Sequence, residues 1–246
     1  MSSHTTFAPI NQIHQCLHAY HVPSHDRIQV VEAFHYCAHT NPEMHQCIIY
    51  DSDQPGARLI GIEYVISERL FETLPMEERH FWHSHKHEVA SGLLCAIAVA
   101  SPAGAAAKLA SNYVPGVAAG MPDEVEKGPL SELYKTYGKT IHTWHPLDQK
   151  LPLGPPVLMT STTAAHPGPR GDKDLLAQRK EKMGIDTEAK EEFRKTYLDP
   201  DYKVVEGADH WETSGEAKFI EIGRRPYKME GGEMSKPADG NGAGAT

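Results

Sequence analysis

The chain has 246 residues, a net charge of −9 and 39% hydrophobic residues, an ordinary balance for a globular protein able to bury its own core. The negative charge counts against nucleic acid as a partner, because phosphate binding needs a basic field. No apolar run reaches the roughly 18–20 residues of a membrane span. The opening MSSHTTFAPINQ also lacks the basic start and apolar stretch of a secretory signal, so the expected location is cytoplasmic.

In chain order, residues 1–10 read as a flexible N-terminus. Asn11 to His21 spaces Ile13, Leu17 and Tyr20 at a helical period ahead of Pro23, which predicts a helix with His14, His18 and His21 on one face. The four cysteines, Cys16, Cys37, Cys47 and Cys95, form no CxxC pair and are expected as reduced thiols. Arg27 to Thr40, His45 to Tyr50 and Arg58 to Ile66 are rich in β-branched and aromatic residues and are separated by the turn segments NPEM and DSDQPGA. They predict an antiparallel meander. With a tight first turn, His39 falls opposite Gln46 and Gln46 opposite Glu63. One face then carries His35, Cys37, His39, Gln46 and Glu63, and the other, with Phe34, Tyr36, Ile49, Ile60, Ile62 and Tyr64, reads as core.

Ser67 to Trp82 reads as helical, with Ser67 as cap and a break at Leu74-Pro75. EERHFWHSHKHEVASG follows, holding four histidines (His80, His83, His85, His87) and Glu88 within nine residues. Continued as extended chain, it sets His83, His85 and His87 on one face; continued as helix, it sets His80, His83 and His87 there. Residues 98–128, rich in Ala, Gly and Pro, are an expected insertion or lid. Leu130 to Tyr137 predicts a short helix ended by Gly138. Lys139 to His145 predicts a strand with His142 and Trp144 on one face, and Val157 to Thr163 a last strand. Asp172 to Tyr197 reads as helical around Met183-Gly184, and residues 229–246 as a disordered tail. The resulting fold class is α+β, an antiparallel sheet with flanking helices, in a single domain over 11–228.

Imidazole is the commonest protein metal ligand, and His83-Ser84-His85 followed by Glu88 has the spacing of an H-x-H-x-x-E ligand set. Glu63 lies in an apolar strand, where a carboxylate requires a metal, an arginine or several donors. His39, Glu63, His83, His85 and His142 form the candidate metal-ligand pool. Glu88 is a further ligand, a residue orienting the ligands, or a catalytic general base. Zn²⁺ is the expected ion, with Fe²⁺ as the alternative. The absence of G-x-S-x-G, P-loop and G-x-G-x-x-G motifs counts against serine hydrolases, NTPases and dinucleotide enzymes.

The segments HYCAHTNPEMHQCIIYDS, ARLIGIEYVISERLFETLP, FWHSH and KTYGKTIHTW with LPLGPP resemble the oil body-associated protein family, the domain of unknown function 1264 family, from about Val30 to Met159. The family blocks include His35, Cys37, His39, Gln46, Glu63, His83, His85, Glu88, His142 and Trp144, whereas His87 departs from the plant pattern. For plant members the resemblance implies lipid-droplet association. For fungal members it implies a zinc-dependent cyclopenase that converts an epoxide-bearing benzodiazepinedione into a hydroxyquinolone. The expected function is therefore a metal-dependent lyase of quinolone alkaloid biosynthesis, a secondary-metabolism enzyme using Lewis-acid ring rearrangement, with Trp82 and Trp144 available to stack on an aromatic substrate. The alternative is a non-enzymatic lipid-droplet protein. The expected partner is a small-molecule substrate, and a homodimer is left open.

Overall fold

β-branched and aromatic residues carry most of the chain into strands. The computed structural model describes residues 7–98, 119–147, 149–216, 218 and 220. Its first four strands run antiparallel in sequence: β1 (Gln15–Pro23), β2 (Val31–Asn41), β3 (Met44–Tyr50) and β4 (Leu59–Ser67). After three short elements, β5 (His83–Ser84), β6 (Cys95–Ala98) and β7 (Ala119–Gly120), come β8 (Thr136–His142) and β9 (Val157–Thr160). β8 pairs with β4 on one side and β9 on the other, and β9 pairs with β1, which already pairs with β2. The sheet therefore closes. β1, β2, β3, β4, β8 and β9 form an antiparallel barrel, and closure removes the free edges an open meander would leave.

β9 fills only one half of the gap between β8 and β1. The other half is filled by β5, which pairs with β8, and β6, which pairs with β1. A short helix, α3 (Lys86–Ala90), joins them across this seam. Further helices pack outside: α1 (Glu68–Phe71), capped by Ser67 accepting from the Leu70 amide, α2 (Met76–Arg79), α4 (Asp123–Leu133), α5 (Lys173–Met183), α6 (Thr187–Arg194) and α7 (His210–Thr213). Asp172 caps α5, and Gly184, at φ 67°, ends it in the left-handed conformation that glycine tolerates. The helical stretch expected over Asp172 to Tyr197 is thus two helices, divided at Gly184.

Several expectations are corrected. Residues 15–23 are a strand and not part of a helix. β1 is flanked by partners on both edges and buried along nearly its whole length, so no polar face marks its period. The meander register is one residue off at both junctions: Ala38 opposes Gln46, and Cys47 opposes Glu63. An irregularity between His39 and Asn41 absorbs the extra residue, which sequence spacing does not reveal. Gln46 consequently faces outward, beside Tyr36, Ile48, Ile62 and Tyr64. The face expected to be core supplies part of the outer wall. The same register brings Cys37 and Cys47 opposite each other as a disulfide, against the expectation of reduced thiols, while Cys16 and Cys95 are free and buried.

After β5 the chain turns helical at Lys86, so His87 does not continue the alternation of His83 and His85. The predicted helix at 130–137 begins earlier, as α4, and Gly138 lies inside β8. Residues 119–128 of the expected lid form β7 and the first half of α4, while 99–118 lie outside the described residues. So do residues 1–6 of the expected flexible N-terminus and the whole of the expected 229–246 tail.

Candidate metal centre

Inward-facing positions of β4 and β8 place Glu63 opposite Thr140 and Val65 opposite Gly138. Gly138 also opposes His83 on β5. A Cβ at Gly138 would collide with Glu63 Oε1 and lie 2.6 Å from His83 Nε2. The missing side chain is therefore the space in which these two groups meet. His83 Nε2 lies 3.2 Å from Glu63 Oε1, and His85 Nε2 lies 3.4 Å from the same oxygen. From β2, His35 Nε2 reaches Glu63 Oε2 at 3.1 Å. From β1, His21 Nε2 lies 3.0 Å from His35 Nε2, and its Nδ1 lies 2.9 Å from His142 Nε2. Three imidazoles thus meet one carboxylate, with His21 and His142 linked in line behind His35, and every residue of the group is 4% exposed or less.

The electrostatics explain what this arrangement requires. Burial drives the Glu63 carboxyl upward, but the adjoining imidazoles of His35, His83 and His85 hold it well below the ordinary carboxylate range. Burial pushes His142 down to about 3 and His21 well below its usual value, so both are neutral at physiological pH. His85 Nδ1 contacts Thr136 Oγ1 at 2.8 Å, and that hydroxyl donates its own proton to the Leu133 carbonyl at 2.7 Å. Thr136 must therefore accept from Nδ1–H, which leaves Nε2 of a neutral His85 with a lone pair aimed at Glu63. That contact is attractive only with a proton or a metal cation between the two atoms.

Two overlapping sets, His21–His35–Glu63 and Glu63–His83–His85, each bring three ligand atoms within 4.8 Å of one another. Tetrahedral zinc with bonds near 2.0–2.1 Å has ligand–ligand edges of about 3.3 Å, close to the contacts around Glu63. Thr136 on His85 supplies the second hydrogen bond that metal-binding histidines usually make. By donor type, spacing and orientation, the residues fit a divalent ion.

Of the predicted ligands, Glu63, His83 and His85 meet directly, and His142 joins through His21. His39 does not. It lies at the far end of β2, stacked on His14 with Nδ1 2.8 Å from His14 Nε2, in a surface cleft of about 820 Å³. His45 borders both this cleft and the interior, and burial lowers it to about 4. Glu88, on α3, is buried with Oε1 3.7 Å from His85 Nε2, and desolvation raises its carboxyl to about 7. His35 and His21 were the omissions from the ligand pool. The alternation of His35 and Cys37 ahead of Glu63 carried a signal for the first; His21 was concealed by the helical reading of β1.

The cavity beside the cluster, lined by His21, His35, Glu63, His85 and Glu88 among others, measures about 10 Å³. That is room for about one water, whereas small-molecule sites span roughly 300–1,000 Å³. Neither tryptophan lines it. Trp82 packs on Phe71 and donates to Glu78, and Trp144 lies beneath Arg58.

Comparison with known proteins places this geometry in context. The chain is 34% identical to oil body-associated protein 1B of Arabidopsis thaliana over 92% of this chain and 84% of that protein. It is 38% identical to oil body-associated protein 1A of Zea mays over 80% and 73%, respectively. Oil body-associated protein 2B of Arabidopsis thaliana is 37% identical over 82% and 73%. No solved structure gives a significant match. These names overturn the expectation of a metal-dependent lyase. The relatives are described by association with oil bodies, and none of these names denotes a cyclopenase or an enzyme of alkaloid biosynthesis. Among the described residues, the cavity that touches the cluster is too small for the expected aromatic substrate. The family described as "Protein of unknown function (DUF1264)" matches residues 7–198, and the chain belongs to it.

Proposed function

We propose that this chain is a non-enzymatic protein of the lipid-droplet surface. The observation that carries the reading is the identity of 34–38%, over most of both chains, to proteins named for oil-body association. Among the described residues, no helix is long and apolar enough to cross a membrane. Attachment would then be peripheral, by side chains that reach a lipid monolayer from outside. The test is flotation of the purified full chain with droplets of triacylglycerol coated by phospholipid. The chain should rise with the droplets, and a chain that stays at the bottom of the gradient overturns the reading.

The cluster around Glu63 supports a second element of the same proposal, a divalent metal ion held as a brace. His35, His83 and His85 with Glu63 would hold it, His21 being the adjacent fifth donor, and zinc is the first candidate over iron. When bound, the ion supplies a fixed positive charge beside the buried Glu63 carboxylate. The chain's own contribution is orientation: Thr136 fixes the tautomer of His85, and Gly138 leaves room for Glu63 and His83 to converge. The ligands come from β2, β4 and the β5–α3 seam, so one ion would tie the wall to the segment that completes it. Elemental analysis of the purified protein should find about one ion per chain, and chelation should lower its unfolding temperature. A metal-free chain of unchanged stability removes the brace.

A further inference from the structure

Two segments, 11–21 and 98–118, are the ones whose sequence could offer an amphipathic face to lipid. Residues 15–21 of the first are buried in β1, and nearly all of the second lies outside the described residues. The topology points elsewhere. β1 runs into the 24–30 loop and β8 into the long connection to β9, and the pairings of Pro23 with Met159 and of His142 with Val157 put both loops at one end of the barrel. On the connection, Leu147, Leu151 and Leu153 are 61%, 61% and 57% exposed, and on the neighbouring loop Ile28 is 92% exposed.

Scattered single apolar side chains on a surface are ordinary, but a group projecting from one end of a fold is not. Local chain chemistry keeps these leucines outside. Pro146, Pro152, Pro155 and Pro156 deny the segment a helix or a ladder of amide donors on which to fold back. The segment is also held by its base: Trp144 Nε1 donates to the Gln149 carbonyl at 3.2 Å, and Arg58 Nη1 to the same oxygen at 3.3 Å. A backbone already held at its base loses little further freedom when its side chains enter a lipid surface.

We propose that Leu147, Leu151 and Leu153, with Ile28 at the same end of the fold, are the inserting tip by which the barrel docks end-on to the phospholipid monolayer of a triacylglycerol droplet. The inference rests on the lipid-droplet reading above. Charge favours this occupant over an anionic bilayer. The chain carries −9, and a surface bound through apolar insertion needs no basic patch. A monolayer over neutral oil exposes acyl chains at packing gaps, which short apolar side chains can fill.

The test uses the full chain and artificial droplets of triolein coated with phosphatidylcholine. The triple variant Leu147→Ser/Leu151→Ser/Leu153→Ser should lose on the order of a hundredfold or more in droplet affinity, since each leucine forfeits its burial in the acyl layer. Ile62→Ser/Tyr64→Ser, on the barrel wall, should float like the natural chain. In Leu151→Cys labelled with an environment-sensitive dye, emission should shift to the blue on adding droplets, a readout that does not depend on the triple variant. A natural chain that fails to float overturns the lipid-droplet reading itself. A natural chain that floats while the triple variant floats equally well, the wall variant loses as much, or the dye at position 151 shows no shift, overturns the docking tip alone. Binding that disappears at high salt also overturns it, because apolar insertion is not screened.

Discussion

Two buried carboxylates, Glu63 inside the barrel and Glu126 on α4 outside it, solve the same problem in different ways. Glu126 Oε1 accepts from Arg194 at 2.8 Å and Lys190 at 2.9 Å, while its Oε2 accepts from the Ala96 amide. Arg194 in turn donates to the carbonyls of Val89 and Leu94, so the cluster is balanced by cations and fastens α6 to the strand that closes the seam. Among the described residues Glu63 meets only the imidazoles of His35, His83 and His85, behind which His21 and His142 are kept neutral by burial. A carboxylate with resident guanidinium and ammonium partners has its charge balanced by the chain itself; one met only by imidazoles has no permanent cation beside it.

The sharpest way to break the contrast is Arg194→Met. It strands Glu126 in the interior and should cost about 3–5 kcal/mol in urea unfolding, with no dependence on chelator. A loss that varies with added metal would show that the two clusters are one system. Chelation of the natural chain comes next. Removing an ion held at 100–1,000 times its dissociation constant should lower stability by roughly 3–4 kcal/mol, and Glu63→Gln should show no further loss on chelation. Gly138→Ala forces a methyl group between Glu63 and His83, with an expected cost of about 1–3 kcal/mol and reduced metal content by elemental analysis. Thr136→Val removes the acceptor that sets the His85 tautomer. It should weaken metal affinity about 10–100-fold in a competition titration while shifting stability little. The triple leucine variant should have the smallest effect on thermal unfolding, within about 0.5 kcal/mol, because its side chains support nothing in the fold.

Sequence reading found the strands β2, β3, β4 and β8 through their composition and turn residues, and it found Glu63 because a carboxylate in an apolar strand needs an explanation. It picked out His83 and His85 from spacing alone. It misplaced Gln46 because an irregularity at the β2–β3 turn exchanges the faces of β3, and His39 because that residue, although on the expected face, lies at the far end of β2. It took Tyr36, Ile62 and Tyr64 as core because an apolar face ordinarily turns inward; in this barrel the interior near the seam is occupied by histidine and glutamate, and these side chains stand on the wall. Cys37 and Cys47 were legible as residues but not as a pair, since their opposition depends on the same register. The enzyme reading failed for another reason. Ligand-like residues indicate that an ion can bind and say nothing about whether a substrate can reach it.

What the amino-acid order determined by itself was local: turn chemistry, strand composition, the capping of α1 and α5, and the presence of too many histidines and one misplaced carboxylate for an inert core. Closure of the barrel decided the rest. The closed sheet turns His21 on β1 and His35 on β2 inward with Glu63 on β4, and the half-length of β9 leaves the seam through which His83 and His85 enter. These contacts join residues far apart in the chain, and their geometry depends on register and strand length summed around a closed sheet. No window of sequence contains that information.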